Sequence, residues 1–439
     1  MPPKTGPCGE TPVTRGRSAQ GRACRWLRVL GGAIAVTGFF MPAPKALALW
    51  DDKLQLFVEE KVTHDDNVFR LSKNADPASA IGSTSTGDTY HTTSLGFNFD
   101  VPVSRQRFQA GYTWNATRYN RFTGLDLDGH DARATWLWQL GNDLSGQLGY
   151  AENLSLASFA YIQTGTPDPL ETRQAFLNGA FLVTPRWRLQ AGWRGLEQTN
   201  GDPALQTNDI NIVSTDVALS YITPANNSVG LSTRVEDGRY PNREFMPGSS
   251  LDDAYRQYGA GIVVDWTLTG ASRLTARADH VSRRYEHLPQ SDVDGYTARV
   301  EYNWKPTGKL SLAATVLRDI SPYQDIQSSF VLVKGVSLRP KLNVTEKIDV
   351  SGVFDYSNWY YLGDPGLVSG GVQGRVDRVR SATATVSYRP ARALALLVSA
   401  QREARSSNVV SRPAAPPAPA VPRVDYVVNV FSISARITF

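Results

Sequence analysis

Residues 425–439, DYVVNVFSISARITF, decide the fold. In this stretch apolar and polar side chains alternate, so Phe431, Ile433, Ile437 and Phe439 point to one side, with Ser and Arg residues on the other. A soluble protein seldom stops on a strand with an exposed final Phe, whereas a membrane barrel pairs its last strand with its first and leaves no edge. The stretch therefore predicts the closing strand of a transmembrane β-barrel, and its four apolar residues predict the signal for barrel insertion.

Composition excludes a membrane protein built from helices. The apolar fraction is 41%, and the mean hydropathy is −0.30. A helical membrane protein needs several runs of about twenty apolar residues. A barrel with a polar lumen would have this ordinary composition, and closed sheets of this length can form a single domain.

The N-terminal residues predict a secretory signal peptide. Basic residues precede the apolar run 29–40, and the small-residue site Ala46-Leu47-Ala48 follows it. We expect cleavage after Ala48 and a start downstream of Met1, which divides the chain into a signal peptide at 1–48 and a barrel at 49–439. A transmembrane anchor is the competing interpretation, but the run is shorter than the roughly eighteen residues that a span requires.

Removing this leader changes two global properties. The leader carries seven basic residues and one acid, so the rest of the chain is close to neutral. A chain without excess positive charge gives no electrostatic reason to expect nucleic-acid binding. Cys8 and Cys24 both fall in the leader, which leaves no thiol for a disulfide or metal site. These properties suit the envelope of a Gram-negative bacterium.

From residue 53 onward the sequence alternates with period two in segments long enough for a tilted strand to cross a bilayer. We predict eighteen strands of an antiparallel up-and-down barrel; segment 328–338 has the weakest pattern, because Lys334 lies on its apolar face. The predicted strands are 53–63, 89–101, 106–119, 130–140, 144–156, 172–183, 187–198, 209–222, 228–238, 254–268, 272–285, 293–305, 309–319, 328–338, 347–360, 376–388, 393–405 and 425–439.

The connections alternate between short turns and long loops. Short connections rich in Pro, Gly and Asn, such as 102–105 and 306–308, predict periplasmic turns, and only 339–346 is expected to be longer. Aromatic residues lie close to these turns and predict an inner girdle: Trp138, Trp187, Tyr221, Trp266, Trp304 and Tyr388. A secreted β-sandwich, the soluble alternative, has no reason for either asymmetry.

The same alternation assigns a lumen face. The predicted lumen residues are Arg133, Arg188, Arg194, Arg234, Asp265, Arg273, Arg277, Asp279, Arg299 and Glu301, together with Asp216, Glu236, Lys305, Asp349, Asp355 and Glu403. They predict a wet lumen of balanced charge, either a track for a hydrated solute or pairs that stiffen the wall. Arg273, Arg277 and Arg299 are the strongest candidates for a basic patch, although Asp279 and Glu301 lie beside them.

No catalytic or cofactor motif is present, and we predict neither enzyme activity, a metal site nor a cofactor. The five histidines, His64, His91, His130, His280 and His287, lack metal-ligand spacing. The acidic pairs at 65–66 and 252–253 favour turn or ion-binding roles over acid/base work. The Pro/Ala segment 411–422 predicts an extended or disordered outer loop.

The sequence DDNVFRLS at 65–72 contains Asp65, Asp66, Asn67, Phe69 and Arg70. This motif resembles the N-terminal motif of the exosortase-associated, EpsL-type exopolysaccharide biosynthesis proteins, within the wider group of β-barrel porins. The resemblance covers about twenty residues and implies export of an extracellular polysaccharide with inner-membrane and periplasmic partners. From the residues alone, the motif is a strand end entering a turn, whose carboxylates could hold Ca²⁺ or pair with Arg70, and pairing is the plainer interpretation.

The leading hypothesis from the sequence is a non-enzymatic outer-membrane channel that helps to export a hydrophilic polysaccharide. The alternatives are a general or sugar-selective uptake porin and a non-conducting structural or adhesive barrel. The expected partners are outer-membrane lipids, the barrel assembly machinery, the polysaccharide and periplasmic export components.

Overall fold

The computed structural model describes residues 53–160, 165–245, 252–321, 330–362, 374–408 and 425–439. Within these ranges the chain forms one antiparallel sheet of eighteen strands. The strands are β1 Leu54–Asp65, β2 Asp88–Val103, β3 Gln106–Tyr119, β4 Leu127–Leu140, β5 Leu144–Leu156, β6 Pro169–Thr184, β7 Trp187–Asn200, β8 Ile210–Ile222, β9 Ser228–Arg239, β10 Ala254–Thr269, β11 Ser272–Tyr285, β12 Val293–Trp304, β13 Leu310–Ser321, β14 Phe330–Asn343, β15 Ile348–Leu362, β16 Val376–Ala391, β17 Leu394–Ser407 and β18 Tyr426–Thr438.

The sheet closes on itself through its first and last strands. β1 pairs with β18 in a register that sets Val58 opposite Ile437, and the backbone N–H of Phe439 donates to the carbonyl of Leu56 at 2.8 Å. Every other strand pairs with its sequence neighbours. The predicted up-and-down barrel and its eighteen strands are thereby confirmed, and no sheet edge is left in the described residues.

The connections divide by length between the two ends of the barrel. One end has only short turns, at 104–105, 141–143, 185–186, 223–227, 270–271, 305–309, 344–347 and 392–393. The other end has the longer loops, which contain a short helix α1 (Pro77–Ile81) and 3₁₀ turns at Thr123–Leu125, Gln206–Asn208 and Pro289–Ser291. This asymmetry is typical of barrels with periplasmic turns and extracellular loops. The leader and the Pro/Ala segment 411–422 lie outside the described residues.

One predicted turn is wrong. The connection expected at 339–346 is shorter, because β14 continues through Pro340 to Asn343. Pro340 lies opposite Leu312 of β13, while the pairing with β15 is interrupted between Leu338 and Lys341. Proline lacks a backbone N–H, so it removes one ladder hydrogen bond without ending the strand.

The outward face of the barrel is an apolar band. Its residues are exposed although apolar; Leu231 is 71% exposed and Val398 is 51% exposed. The predicted girdle residues Trp187, Trp266 and Trp304 are outward and exposed beside the short turns. The described residues contain no helix long and apolar enough to cross a membrane. Exposing this much apolar surface to water would cost free energy, so the band marks the part of the barrel that the hydrocarbon of the membrane covers.

Candidate functional site

The inward face of the barrel carries the predicted lumen residues. Strand alternation places them opposite to the exposed apolar band, and the register makes several of them neighbours: Arg277 lies opposite Arg299, and Arg234 lies opposite Asp216. The same alternation puts Arg133, Arg188, Arg194, Asp265, Arg273, Asp279 and Glu301 inward. Their role in passage stays a prediction.

The expected basic patch on β11 and β12 is neutralised. Arg273 Nε donates to Asp265 at 2.7 Å, and Arg277 Nε donates to Asp279 at 2.6 Å. Arg299 Nε donates to Glu301 at 2.7 Å. Each arginine therefore has a carboxylate on its own or the adjacent strand, and this part of the wall presents ion pairs rather than free cations.

The remaining predicted arginines are different. Arg133 Nη2 donates to the amide oxygen of Asn98 at 3.0 Å, and Arg188 Nη2 donates to the hydroxyl of Ser228 at 3.3 Å. Arg194 and Arg234 form no ion pair with a carboxylate in the described part of the chain. These four cations lie on β4, β7 and β9, on the same wall as the inward carboxylates Asp216 and Glu236, with which they form no ion pair in the described residues.

The segment at 65–72 forms an anchored turn at the extracellular mouth. Arg70 Nη1 donates to Asp65 Oδ2 at 2.8 Å, and the Asn67 N–H donates to Asp65 Oδ1 at 2.9 Å. Burial alone would lower the pKa of Arg70, but the Asp65 carboxylate offsets it and the pKa is raised. Arg70 has a φ of 55°, a left-handed conformation that a non-glycine residue adopts only when its surroundings hold it.

This turn is also bound to the last strand. The Asn429 N–H donates to Asp66 Oδ1 at 2.8 Å, and Asn429 Nδ2 donates to Asp66 Oδ2 at 2.7 Å. Asn67 Nδ2 donates to the carbonyl of Leu71 at 2.8 Å and to that of Val427 at 3.2 Å. In the structure the carboxylates of the motif therefore have side-chain and backbone partners, as the pairing interpretation expects.

An aromatic cluster joins the first three extracellular loops. Phe69 is 5% exposed, and its ring centroid lies 4.8 Å from those of both Phe122 and Phe159. Val68 and Leu125 complete the buried part of this cluster. Because these residues come from the loops after β1, β3 and β5, the three loops pack on one another at the extracellular end of the barrel.

The loop after β5 reaches far around the barrel. Arg405 Nη1 of β17 donates to the carbonyl of Ala160, and Ala160 packs against the inward-facing Tyr426 and Val428 of β18. β17 and β5 are separated around the sheet by β18 and by β1 to β4. The described part of this loop thus runs inside the rim rather than away from it.

Arg405 belongs to a buried polar network. Its Nη2 lies 2.5 Å from Asp377 Oδ2 and 2.7 Å from the Tyr361 hydroxyl. Arg375 Nη2 donates to the same carboxylate oxygen at 2.7 Å. Arg405 and Asp377 are 1% and 0% exposed. A buried ion pair requires such additional partners, because desolvation of each charge is costly.

Side chains also fill the inward face near the tops of β8 to β11. Tyr255 is 3% exposed and packs with Ile210 and Ile212. The Arg283 guanidinium lies 4.1 Å from the centre of the Tyr255 ring, and Arg283 Nε donates to Gln257 at 3.0 Å. The upper inward face is therefore packed at two places, the β17 network and this cluster.

The sequence prediction missed Ala160, Asp377 and Arg405. One local signal was present: in RVDRVR at 375–380, alternation sets Arg375 and Asp377 on one face and Arg378 and Arg380 on the other. Two opposite charges at inward positions near a strand end predict an ion pair. The contact of Arg405 with Ala160 has no comparable signal, because the two residues are far apart in the sequence.

A second polar group lies in the extracellular loops, at residues that have no metal-ligand spacing along the chain. Asp252, Asp253 and His287 offer ligand atoms within 4.8 Å of one another. Asp252 accepts the backbone N–H groups of His287 at 2.6 Å and Leu288 at 2.9 Å. The hydrogen bond to Asp252 raises the pKa of His287. These contacts connect the loop before β10 to the loop after β11.

No protein-family model and no curated protein matches this chain. Among solved structures it is similar to Pseudomonas aeruginosa OpdK with vanillate, at 10% identity and a TM-score of 0.45, covering 88% of this chain and 99% of that chain. It is also similar to OccK2 (OpdF) of the same organism, at 11% identity and a TM-score of 0.46, covering 88% and 98%.

Proposed function

We propose that this chain is an outer-membrane channel for small hydrophilic solutes, with a preference for anions. The supporting observation is a closed eighteen-stranded barrel whose inward face is polar and whose mouth is narrowed by its own loops. Barrels of sixteen to eighteen strands are wide enough to hold an aqueous channel after side chains are placed. An outward apolar band and closed backbone pairing suit the outer membrane of a Gram-negative bacterium.

The narrowed mouth favours small solutes over a polymer. The aromatic cluster around Phe69 and the contact of Arg405 with Ala160 hold loops across the rim. A polysaccharide would have to keep these loop contacts broken for the whole time that the polymer takes to pass through the barrel. A small solute needs only the space that the loops leave. Export of a polysaccharide, which the motif at 65–72 implies by resemblance, is therefore the second reading.

The anion preference comes from the inward cations. Arg133, Arg188, Arg194 and Arg234 have no ion-pair partner in the described ranges, whereas Arg273, Arg277 and Arg299 are neutralised. An unpaired guanidinium beside an aqueous path attracts anions and repels cations. The effect is screened by salt over about 10 Å at 0.1 M ionic strength, so the preference is modest.

Planar-bilayer recording tests the proposal. The wild-type barrel is expected to conduct, and in a salt gradient its reversal potential is expected to indicate anion preference. Replacing Arg188, Arg194 and Arg234 by Gln is expected to reduce that preference, whereas the matched replacement of Arg273, Arg277 and Arg299 is expected to change it less. A refolded barrel that passes no current would contradict the channel.

A deletion strain separates uptake from export. Slower entry of small anions with unchanged surface polysaccharide supports the proposal. Loss of surface polysaccharide with unchanged solute entry would favour export and reject our first choice.

A further inference from the structure

The outward face carries a row of cations that the channel does not use. Arg318 of β13 lies opposite Lys334 of β14, and Lys334 lies opposite Asn358 of β15. Asn358 in turn lies opposite Arg378 of β16. Alternation makes these positions outward, because Val316, Val336 and Val386 on the same faces are exposed apolar residues. Arg380 and Arg402 extend the row on β16 and β17. We call these five cations the basic arc.

Among the described residues, the basic arc has no compensating carboxylate. No outward position of β13 to β17 in the described residues is acidic, and none of the five cations forms an ion pair there. Their contacts are with aromatic rings and an amide: Arg318 lies 3.8 Å from the Tyr296 ring centre, Lys334 lies 4.7 Å from that of Tyr360, and Arg402 Nη1 donates to Asn429 at 3.0 Å.

Elsewhere on the same face, four of the five outward strand arginines have a carboxylate partner, and the fifth, Arg239 at the end of β9, forms no ion pair in the described residues. Arg118 lies 2.6 Å from Asp128, and Arg284 lies 2.9 Å from Asp294. Arg173 and Arg256 also have carboxylates, from Glu171 and Asp237. The contrast makes the basic arc a local feature. The connections 322–329, 363–373 and 409–424 add two aspartates and two arginines by sequence, so they do not change the net charge of this sector.

The height of the basic arc on the barrel is defined by the strands. Four of its cations lie about eight residues from the outward residue beside a periplasmic turn, which is roughly 20 Å along the barrel axis for a tilted strand. An apolar band is about 25 Å tall, so a height of roughly 20 Å places the cations in its upper part, close to its extracellular border. The four pairs are Arg318 with Leu310, Lys334 with Leu342, Arg380 with Tyr388 and Arg402 with Leu394.

We propose that the basic arc binds phosphate groups of outer-leaflet lipid. Arg318 and Lys334 are like charges directly opposite each other, an arrangement that destabilises a sheet unless an anion lies between them. A lipid presents its acyl chains to the apolar band below and its phosphates at the height of the cations. Arginine pairs with phosphate through two parallel hydrogen bonds, and adjacent tyrosines favour the headgroup region.

The test measures binding of purified bis-phosphorylated lipid A to the folded protein in neutral detergent. The wild type is expected to bind it at least tenfold more tightly than dephosphorylated lipid A. Each basic residue near a phosphate contributes about fivefold, so Lys334→Gln/Arg378→Gln/Arg380→Gln is expected to weaken binding on the order of 100-fold. The control Arg105→Gln/Arg186→Gln/Lys309→Gln removes the same charge at the periplasmic turns and is expected to bind like the wild type.

Three results would overturn the proposal: equal binding of the two lipids by the wild type, wild-type affinity in the basic-arc variant, or an equal loss in the control. Competition by inorganic phosphate as effective as that by lipid A would assign the cations to a free anion and would also overturn it. Arg378→Lys/Arg380→Lys keeps the charge and is expected to retain most of the binding. The wild-type comparison of the two lipids decides the matter even if the triple variant fails to fold.

Discussion

Replacing Arg405 by Met tests how the mouth of the barrel is held. The change removes the guanidinium from Asp377, from the Tyr361 hydroxyl and from the Ala160 carbonyl while keeping an unbranched side chain of similar length. Asp377 is 0% exposed, and it then keeps only one of its two arginines, Arg375 at 2.7 Å.

The magnitude follows from burial. Removing one partner of a buried ion pair costs about 3–5 kcal/mol, because the other charge loses its compensation. Arg375 remains, so we expect the lower end, about 3 kcal/mol. A matched control is Arg256→Met: its partner Asp237 is 2.5 Å away, but both side chains are well exposed on the outward face. An exposed pair contributes about 0.2–1 kcal/mol.

Two measurements check the prediction. Urea unfolding of the barrel in lipid vesicles should show the loss for Arg405→Met and little change for Arg256→Met. Single-channel recording should show larger or noisier current for Arg405→Met, because the loop after β5 loses its contact with β17. Unfolding within about 1 kcal/mol of the wild type, together with unchanged current, would refute the role assigned to this network.

Other perturbations give distinct outcomes. Phe69→Ala removes the centre of the three-loop cluster; truncating a buried Phe costs about 3–5 kcal/mol, and limited proteolysis should cut these loops faster, whereas unchanged cleavage would contradict the packing. The protonated His287 and the Asp252 carboxylate should stabilise the contact between their two loops most at low pH. A raised histidine pKa means that this stabilisation is complete below about pH 6.5 and is lost as the pH rises through the pKa of the folded state. Proteolysis between pH 5 and 9 checks this, and the trend should vanish in His287→Asn. Val398→Arg places a charge in the apolar band and should cost about 2–4 kcal/mol in vesicle unfolding if the site is near the bilayer midplane; a neutral effect would place it outside the hydrocarbon. Phe439→Ser should lower the yield of heat-modifiable barrel, and normal yield would argue against an insertion signal.

Much of the fold could be predicted from local sequence patterns. Period-two alternation is a property of neighbouring residues, so the strands could be read along the chain, as could the face on which Arg277 or Arg299 lies. The turn predicted at 339–346 is shorter in the structure, because Pro340 removes only a single hydrogen bond and the partner strand β13 still pairs there.

The local sequence could not predict which charged residues of the lumen wall form ion pairs. Alternation put Arg277 and Asp279 on one face, but whether they would pair with each other or line a free track depends on side-chain geometry. The structure pairs them at 2.6 Å, while Arg194 and Arg234 have no carboxylate partner among the described residues. The sequence therefore predicted which residues face the lumen, but not which of them pair with one another.

The sequence by itself determined the strands, their faces and the closing role of residues 425–439, because each follows from the alternation of apolar and polar side chains. Only the tertiary structure decided what lies at the mouth and on the outer rim. Asp66 meets Asn429 and Ala160 meets Arg405 because closure of the sheet brings distant strands together. The basic arc likewise exists only because the register aligns Arg318, Lys334 and Arg378 across separate strands, and no local pattern encodes that alignment.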